Sequence, residues 1–443
     1  MTASIKIDGI MYTADTNDTI LEAARKNGIS IPSLCFMKDC NKVAACRMCV
    51  VEVTGMKALP PACVTRCREG MEIFTDSQRV RESRRMTLDQ LASHHRMVCD
   101  RCSRYSDCEF HALCVDYGIS ERDYNPYKII PEKDESALHL VRDYSKCLSC
   151  NRCVAACHNQ EMDILSSFKR GWEKKIGPAK PLGLTDCIGC GQCVTACPTG
   201  ALSIRDDTAE LRNIIRQRKK HVIAILTPST AKAFPRLFYE EERDCSGKLV
   251  SMLRKLGFER VYSSVPTQND YISREIAMED VISEACPGIR NLIEKLYPEK
   301  KSSLSGLGSL QSYSARIARR TYSAETGISE DDILAVYINS CTAGKTENVE
   351  GLRTLTTYEL AGMFRRACVS RFTAMKVWRE QLDENAPFDS LPEAKAVSVE
   401  TVTGTKNAKE ALRNWNSGYL KCAACPGGCD FGGGSPRKTS PNF

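Results

Sequence analysis

Apolar and polar residues alternate through "SIKIDGIMYTA", the period-two pattern of half-buried strands, and "TILEAARKNG" then changes to helical spacing. Loops bearing cysteines follow, and "MKALPPACV" and "GMEIFTDS" return to the sheet pattern, so residues 1–79 read as a small sheet with turns. Residues 80–126 read as helix, beginning "RVRESRRMTLDQLASHHRMVCDRC". The polar stretch "DYNPYKIIPEKDES" marks a boundary, after which residues 127–208 form a third unit with an internal repeat. The charged helix "DDTAELRNIIRQRKKH" leads into "VIAILTPSTAKAF", an apolar run followed by Thr-Pro-Ser. That is the signature of a buried parallel strand feeding a helix N-terminus, and "LAVYINSC" looks like a second such strand. Residues 209–443 therefore read as α/β, with cysteines at strand ends and in loops. "SSLSGLGSLQSYS" (302–314) is expected to be a flexible connection, and the tail "PRKTSPNF" to be disordered. The fold class expected is α+β and multidomain.

Composition narrows the class. A 443-residue chain is long enough for two to four domains. No run approaches the roughly 18 apolar residues of a membrane span, and the start is strand-like rather than signal-like. A cytoplasmic location is expected, where thiols stay reduced and 25 clustered cysteines bind metals more often than they pair. The net charge of +7 comes from dispersed residues without interleaved aromatics. This argues against nucleic acid and suits a solvated surface facing an acidic protein.

The cysteine spacing supplies the chemistry. Cys147, Cys150, Cys153 and Cys157, then Cys187, Cys190, Cys193 and Cys197, each read C-x2-C-x2-C-x3-C, and the second run ends in Cys-Pro. In two-cluster ferredoxins the fourth ligand of each run serves the other [4Fe–4S] cube. The expected sets are Cys147/Cys150/Cys153/Cys197 and Cys187/Cys190/Cys193/Cys157. Upstream, Cys35, Cys46, Cys49 and Cys63 suit a [2Fe–2S] cluster in the loops of a β-grasp sheet, with a zinc ribbon as the alternative. Cys40 and Cys67 fall outside that pattern as spare thiols. Between them, His95, Cys99, Cys102 and Cys108 suit either a structural zinc or a [4Fe–4S] cluster with one imidazole ligand. Neutral imidazole in place of thiolate raises a cluster's potential. His94 competes for the ligand position, and the spacing favours His95.

Cys286, Cys341, Cys425 and Cys429 remain as a scattered further set of four sulfurs. Gly432, Gly433 and Gly434 follow, bare backbone that lets the chain press against a bulky cofactor. Nineteen of the 25 cysteines are then assigned, with Cys40, Cys67, Cys114, Cys245, Cys368 and Cys422 left over.

The order of these motifs resembles the [FeFe]-hydrogenases that carry a full accessory cluster domain. Residues 1–205 also resemble the large iron–sulfur subunit of respiratory complex I. "ACPGGCDFGGGSP" matches the family motif A-C-x-x-G-C-x-x-G-G-G-x-P in full. By this resemblance Cys286, Cys341, Cys425 and Cys429 hold the [4Fe–4S] part of the H-cluster, and Cys429 bridges to a diiron subcluster. The resemblance also implies a [2Fe–2S] domain at 1–79, a His/Cys cluster segment at 80–126, a two-cluster domain at 127–208 and a shortened H-cluster domain at 209–443. The chain departs from the family at informative places. Ala285 stands where catalytic members have a proton-relaying cysteine, and Ile289 where they have tryptophan. Gly344 takes the position of the lysine that anchors cyanide, with Lys345 next to it and Glu347 retained, and Asn339-Ser340 replaces Met-Pro. The span from Cys341 to Cys425 is also short. These departures favour an electron-relaying subunit without the diiron unit over an active or sensory hydrogenase with an altered proton route. A redox sensor would need an output domain, and none is visible. No G-x-G-x-x-G fingerprint is present, so nicotinamide and flavin chemistry is expected from partners. The resemblance implies a flavin-containing NAD(P)-linked subunit and ferredoxin, as in electron-bifurcating hydrogenases.

Overall fold

The computed structural model describes residues 2–102, 104, 107–120, 123–124, 129–130, 132–170, 173–238, 245–367, 386–396 and 399–435. The sequence-expected tail at 436–443 lies outside them. The period-two opening becomes a hairpin, β1 (Thr2–Ile7) and β2 (Ile10–Asp15). Helix Ile20–Lys26 follows, fixed by a capping box between Thr19 and Glu22. β3 (Glu52–Val53) and β4 (Glu72–Phe74) complete a sheet ordered β2-β1-β4-β3, with β1 and β4 parallel. "MKALPPACV" contributes one bridge, Val50 to Pro61, rather than a strand. Its prolines lack the N–H groups a ladder needs.

The expected helix over 80–126 is broken. It runs Gln78–His94, stops at His95, and resumes at Glu109–Asp116. The interruption turns His95, Cys99, Cys102 and Cys108 toward a common cavity, which one straight helix could not do.

In the repeat region, β5 (Lys133–Asp134), β6 (Leu140–Asp143) and β9 (Leu202–Ile204) form one sheet, and β7 (Ser166–Phe168) pairs with β8 (Lys175–Gly177). Each cysteine run feeds a short helix, Arg152–Asn159 and Gln192–Ala196.

The C-terminal region holds a parallel sheet of β10 (His221–Leu226), β11 (Arg260–Ser263), β12 (Ile333–Asn339) and β13 (Leu352–Thr356), in the order β11-β10-β12-β13. Both faces are covered, as parallel sheets require. Val222, Ala224, Leu226, Val336 and Ile338 point to one side, against Leu249, Leu253, Leu360 and Phe364. Ile223, Ile225, Ala335 and Tyr337 point to the other, against Ala315, Ala318 and Tyr322. The expected flexible stretch at 302–314 is structured at its end: Ser309 caps helix Leu310–Thr326 through the Ser312 amide. Its small polar residues mark a cap and a buried helix face rather than a linker. Gln311 and Ser314 are both buried. Short strands β14 (Val402–Thr403) and β15 (Cys422–Ala423) pair in parallel beside helix Thr405–Asn414 and deliver Cys425.

Candidate metal centres

In the first domain, left-handed Ala44 (φ 49°) and Arg47 (φ 56°) curl the loop around Cys46. The Cys35 thiol touches those of Cys46 and Cys63, and Cys49 touches Cys63. Contact with Cys46, then with Cys63, holds the Cys35 thiol down at about 2, while Cys46 is pushed up chiefly by its contact with Cys35. Thiolates that share a tetrahedral ion through bonds of about 2.3 Å lie in such contact. The pairs Cys35–Cys46 and Cys49–Cys63 therefore suit two ions with two thiolates each.

His95 is buried, and its Nδ1 lies 3.1 Å from the Lys146 carbonyl oxygen. A carbonyl only accepts, so Nδ1 carries the proton and the Nε2 lone pair is left for a metal. Burial, reinforced by Lys146, lowers the imidazole pKa to about 4, which keeps it neutral. His95, Cys99, Cys102 and Cys108 line one cavity with Phe110 and Gly200. His94 is exposed, with Nδ1 2.9 Å from the carbonyl of Gln90 on its own helix.

The two cysteine runs share a backbone device. Ser149 (φ 52°) and Asn151 (φ 62°) are left-handed in the first loop, as are Gly189 (φ 76°) and Gly191 (φ 72°) at the matching places in the second. Alternating handedness turns successive N–H groups inward, making the anion-binding concavity used for iron–sulfur clusters. The Ser149 amide accordingly donates to the Cys147 sulfur at 3.4 Å. The charges of Cys147, Cys150 and Cys197 all raise the Cys153 thiol, after burial, and those of Cys190, Cys187 and Cys157 raise Cys193. The cysteines acting most on each run's third thiol belong to its expected set, with Cys153 acting on Cys193 as well. These thiols act on one another through charge rather than contact, as one thiolate per cube corner requires. Among the described residues, no three His, Cys, Asp or Glu side chains are placed to hold a single ion.

The last set is assembled from three separate parts of the chain. Cys286 precedes helix Pro287–Leu296, Cys341 follows β12 at the carboxyl edge of the sheet, and Cys425 and Cys429 bracket a turn. Parallel α/β sheets bind ligands at that edge. Cys425 is raised by burial and then by the charges of Cys341, Cys286, Cys429 and Cys190, which places the last set next to the second cysteine run. Cys429 itself is exposed. A Cβ on Gly432 would strike the Ser340 carbonyl, one on Gly433 would lie 2.7 Å from Gly191 Cα, and one on Gly434 would lie 2.9 Å from Thr356 Cβ. The glycines expected to face a cofactor are thus bare because protein backbone crosses them.

The departures from the family motifs have structural counterparts. Ile289 is fully buried with Ile188, Ile282 and Leu292. A side chain on Gly344 would collide with Gln311. Gln311 donates to the Gly344 carbonyl at 2.8 Å and to Glu347 Oε2 at 2.6 Å. Glu347 also accepts from Ser309 at 2.6 Å, and burial raises its pKa. Lys345 turns away from the cysteines to pair with Glu359 (2.6 Å) and Asp207 (2.7 Å). Ala285 accepts the Leu310 amide through its carbonyl, and its methyl offers no proton carrier.

The sets are physically linked in order. Asn41 donates to the carbonyls of both Cys35 (2.7 Å) and Cys150 (3.0 Å). Cys108 lies 3.6 Å from the Pro198 carbonyl, next to Cys197. The Cys425 sulfur lies 3.8 Å from the Cys190 carbonyl. Sequence reasoning did not single out the buried side chains among these sets, Arg142, Arg152, His139 and Gln311. The one available signal was polar residues interrupting apolar runs, as in "ALHLVRD".

Iron hydrogenase 1 of Clostridium pasteurianum is 33% identical over 391 residues, covering 82% of this chain and 68% of that protein. The chain belongs to the iron hydrogenase family. Within this hydrogenase-family chain, residues 220–393 match the iron only hydrogenase large subunit, C-terminal domain. Residues 1–78 match the 2Fe-2S iron-sulfur cluster binding domain, 84–123 the NADH-ubiquinone oxidoreductase-G iron-sulfur binding region, and 146–201 the 4Fe-4S dicluster domain. The NADP-reducing hydrogenase subunit HndD of Solidesulfovibrio fructosivorans is 27% identical over 98% of this chain and 88% of that protein. An NADH-quinone oxidoreductase subunit of Rhizobium meliloti (strain 1021) is 32% identical over 34% of this chain and 18% of that protein. Among the described residues, no helix of this hydrogenase relative is long and apolar enough to cross a membrane.

Proposed function

We propose that the chain is an iron–sulfur electron-transfer subunit of a larger NAD(P)- or ferredoxin-linked oxidoreductase, built on a hydrogenase frame without the diiron subcluster. The observation that carries this reading is Gln311, whose side chain fills the space a cyanide-anchoring lysine at position 344 would need; its Nε2 donates to the Gly344 carbonyl and to Glu347, and its Oε1 accepts from Thr354. Ala285 removes the proton relay as well. The proposed cofactors are one [2Fe–2S] cluster and four [4Fe–4S] clusters, at the five sets already described. The domain limits follow those sets, at 79, 126 and 208.

When bound, the clusters supply one-electron chemistry. The protein's part is to hold them in sequence, exclude water and tune them through hydrogen bonds and burial. Cys190 and Cys425, Cys150 and Cys35, and Cys197 and Cys108 form the three joints between sets. The similarity to an NADP-reducing hydrogenase subunit supports a hetero-oligomer in which a flavin-containing NAD(P)-linked subunit and ferredoxin are the partners.

An infrared spectrum of protein purified anaerobically from its native host tests the reading. Full iron occupancy without bands from iron-bound CO and cyanide is the expected result. Those bands would make H₂ turnover the function despite Ala285 and Gly344.

A further inference from the structure

β6 carries two buried polar side chains that neither the cluster ligands nor the joints employ. His139, just before the strand, places Nε2 3.5 Å from the Cys187 sulfur. Arg142, within it, is 1% exposed. The Arg142 guanidinium donates to the carbonyl of Ile176 through Nε (2.8 Å) and Nη2, and to that of Ala201 through Nη1 (3.0 Å). It stacks over the Tyr144 ring at 4.8 Å and reaches the Cys147 thiol. All of these protein partners are neutral apart from the thiol. The two other buried arginines close to cluster cysteines are paired, Arg152 with Glu109 at 2.7 Å and Arg104 with Asp107 at 3.0 Å. Among the described residues no carboxylate lies within ion-pair distance of Arg142. A buried charge without a counter-charge is strongly unfavourable, so the balancing negative charge must be in the site itself. The charges that act most strongly on Arg142 are those of Cys147 and Cys153, then Cys197.

We propose that Arg142 is the resident counter-ion of the cube held by Cys147, Cys150, Cys153 and Cys197, and makes it the higher-potential member of the two-cluster pair. This rests on the ligand sets of the proposed function. Reduction adds one negative charge to a cube, and a fixed cation alongside favours the reduced form. Beside the other cube the cations Lys295 and Lys409 bond backbone carbonyls, of Cys187 and of Glu161, rather than a ligand sulfur, and the group at the Cys187 sulfur is the His139 imidazole. A metal-bound thiolate can only accept, so His139 donates to the Cys187 sulfur through Nε2. The cube with the cation faces both the first domain, through Asn41, and the His95 set, through Pro198. Charge therefore collects where the chain branches rather than beside the hydrogenase-like lobe.

The test is a redox titration of the full chain followed by electron paramagnetic resonance, on protein whose iron content matches all five sets. Arg142→Gln should move one [4Fe–4S] midpoint down so that, at the unsubstituted midpoint, its reduced-to-oxidised ratio falls at least tenfold. That corresponds to ~59 mV for a one-electron couple. The other midpoints should hold, and Arg142→Lys should keep most of the original value. Unmoved midpoints in Arg142→Gln at full iron, or equal shifts in Gln and Lys variants, would overturn the counter-ion role. Should Arg142→Gln lose its cluster, Cys190→Ser in the otherwise unsubstituted chain decides. It must alter the signal of the lower-potential cube of the pair, and alteration of the higher one refutes the inference. Unsubstituted protein that lacks iron at the paired cubes would instead refute the ligand sets.

Discussion

Gly344→Ala combined with Gln311→Ala tests whether Gln311 truly owns the space beside Gly344. An added Cβ would lie 3.1 Å from both Gln311 Cδ and Thr354 Cγ2 and closer still to Gln311 Oε1. Overpacking of this kind costs about 1–3 kcal/mol. Pushing Gln311 aside also weakens its bond to the Gly344 carbonyl, worth roughly 1 kcal/mol, and its bond to Glu347, worth about 1.5–3 kcal/mol. The reduced freedom of alanine in the unfolded chain offsets about 0.4–1 kcal/mol. Gly344→Ala alone should therefore destabilise the lobe by about 2–4 kcal/mol. Gln311→Ala alone should cost about as much, because the Gly344 carbonyl and Glu347 each lose one of two side-chain donors and the Thr354 hydroxyl loses an acceptor. In the double variant the Cβ enters vacated space, so the pair should cost little more than Gln311→Ala alone. That is a favourable coupling of about 2 kcal/mol. Anaerobic urea titration of the four proteins, compared at equal iron content, measures it. Additivity within about 0.5 kcal/mol would show that the two positions do not compete, and the structural case against a lysine at 344 would fall with it.

The remaining predictions concern other parts of the frame. His95→Cys should lower the midpoint of one cluster, because thiolate replaces neutral imidazole; an unchanged midpoint would rule out His95 as ligand. Lys345→Met leaves Glu359 buried without its cation and should destabilise the lobe by about 3–5 kcal/mol, with Glu359→Gln recovering part of the loss in a double variant. Glu347 has a raised folded pKa. Its stabilising contribution is thus complete below the ordinary glutamate range and is lost as pH rises through the raised value. Glu347→Gln should remove that fall, so the variant gains on the unsubstituted chain in thermal unfolding as pH rises above the ordinary glutamate range. A gap that moves the other way would mean that Ser309, Gln311 and Arg290 more than offset burial.

Period-two and apolar-run patterns located β1, β2, β10 and β12, because each of those strands owes its place to its own buried faces. The two cysteine runs were legible as a dicluster domain for a different reason: their spacing is fixed by loops wrapped around a small object. The break at His95 was not, since "RRMTLDQLASHHRMVCDRC" has ordinary helical composition and the turn inward is imposed by the site. Ser309 was read as linker because a cap and a flexible segment use the same small polar residues. Glycines 432–434 were legible as a close approach but not as an approach to Ser340, Gly191 and Thr356, which come from distant parts of the chain. Arg142 was invisible because its hydrogen bonds go to backbone carbonyls, which leave no pairwise trace in sequence, and Gln311 because Gly344, Glu347 and Thr354 lie far along the chain from it.

The scattering of the last four sulfurs also bears on biosynthesis. Domains fold from the N-terminus as the chain emerges, so the paired runs between Cys147 and Cys197 are complete long before Cys425 is translated. Cys286 and Cys341 meanwhile wait on a sheet whose strands are already made, two thiols without their partners. The closing segment then has to slide its glycines between Ser340 and the Gly191 loop, both already made. Synthesis thus has a built-in order: the paired cysteine runs are complete first, and the segment that closes the hydrogenase-like pocket comes last.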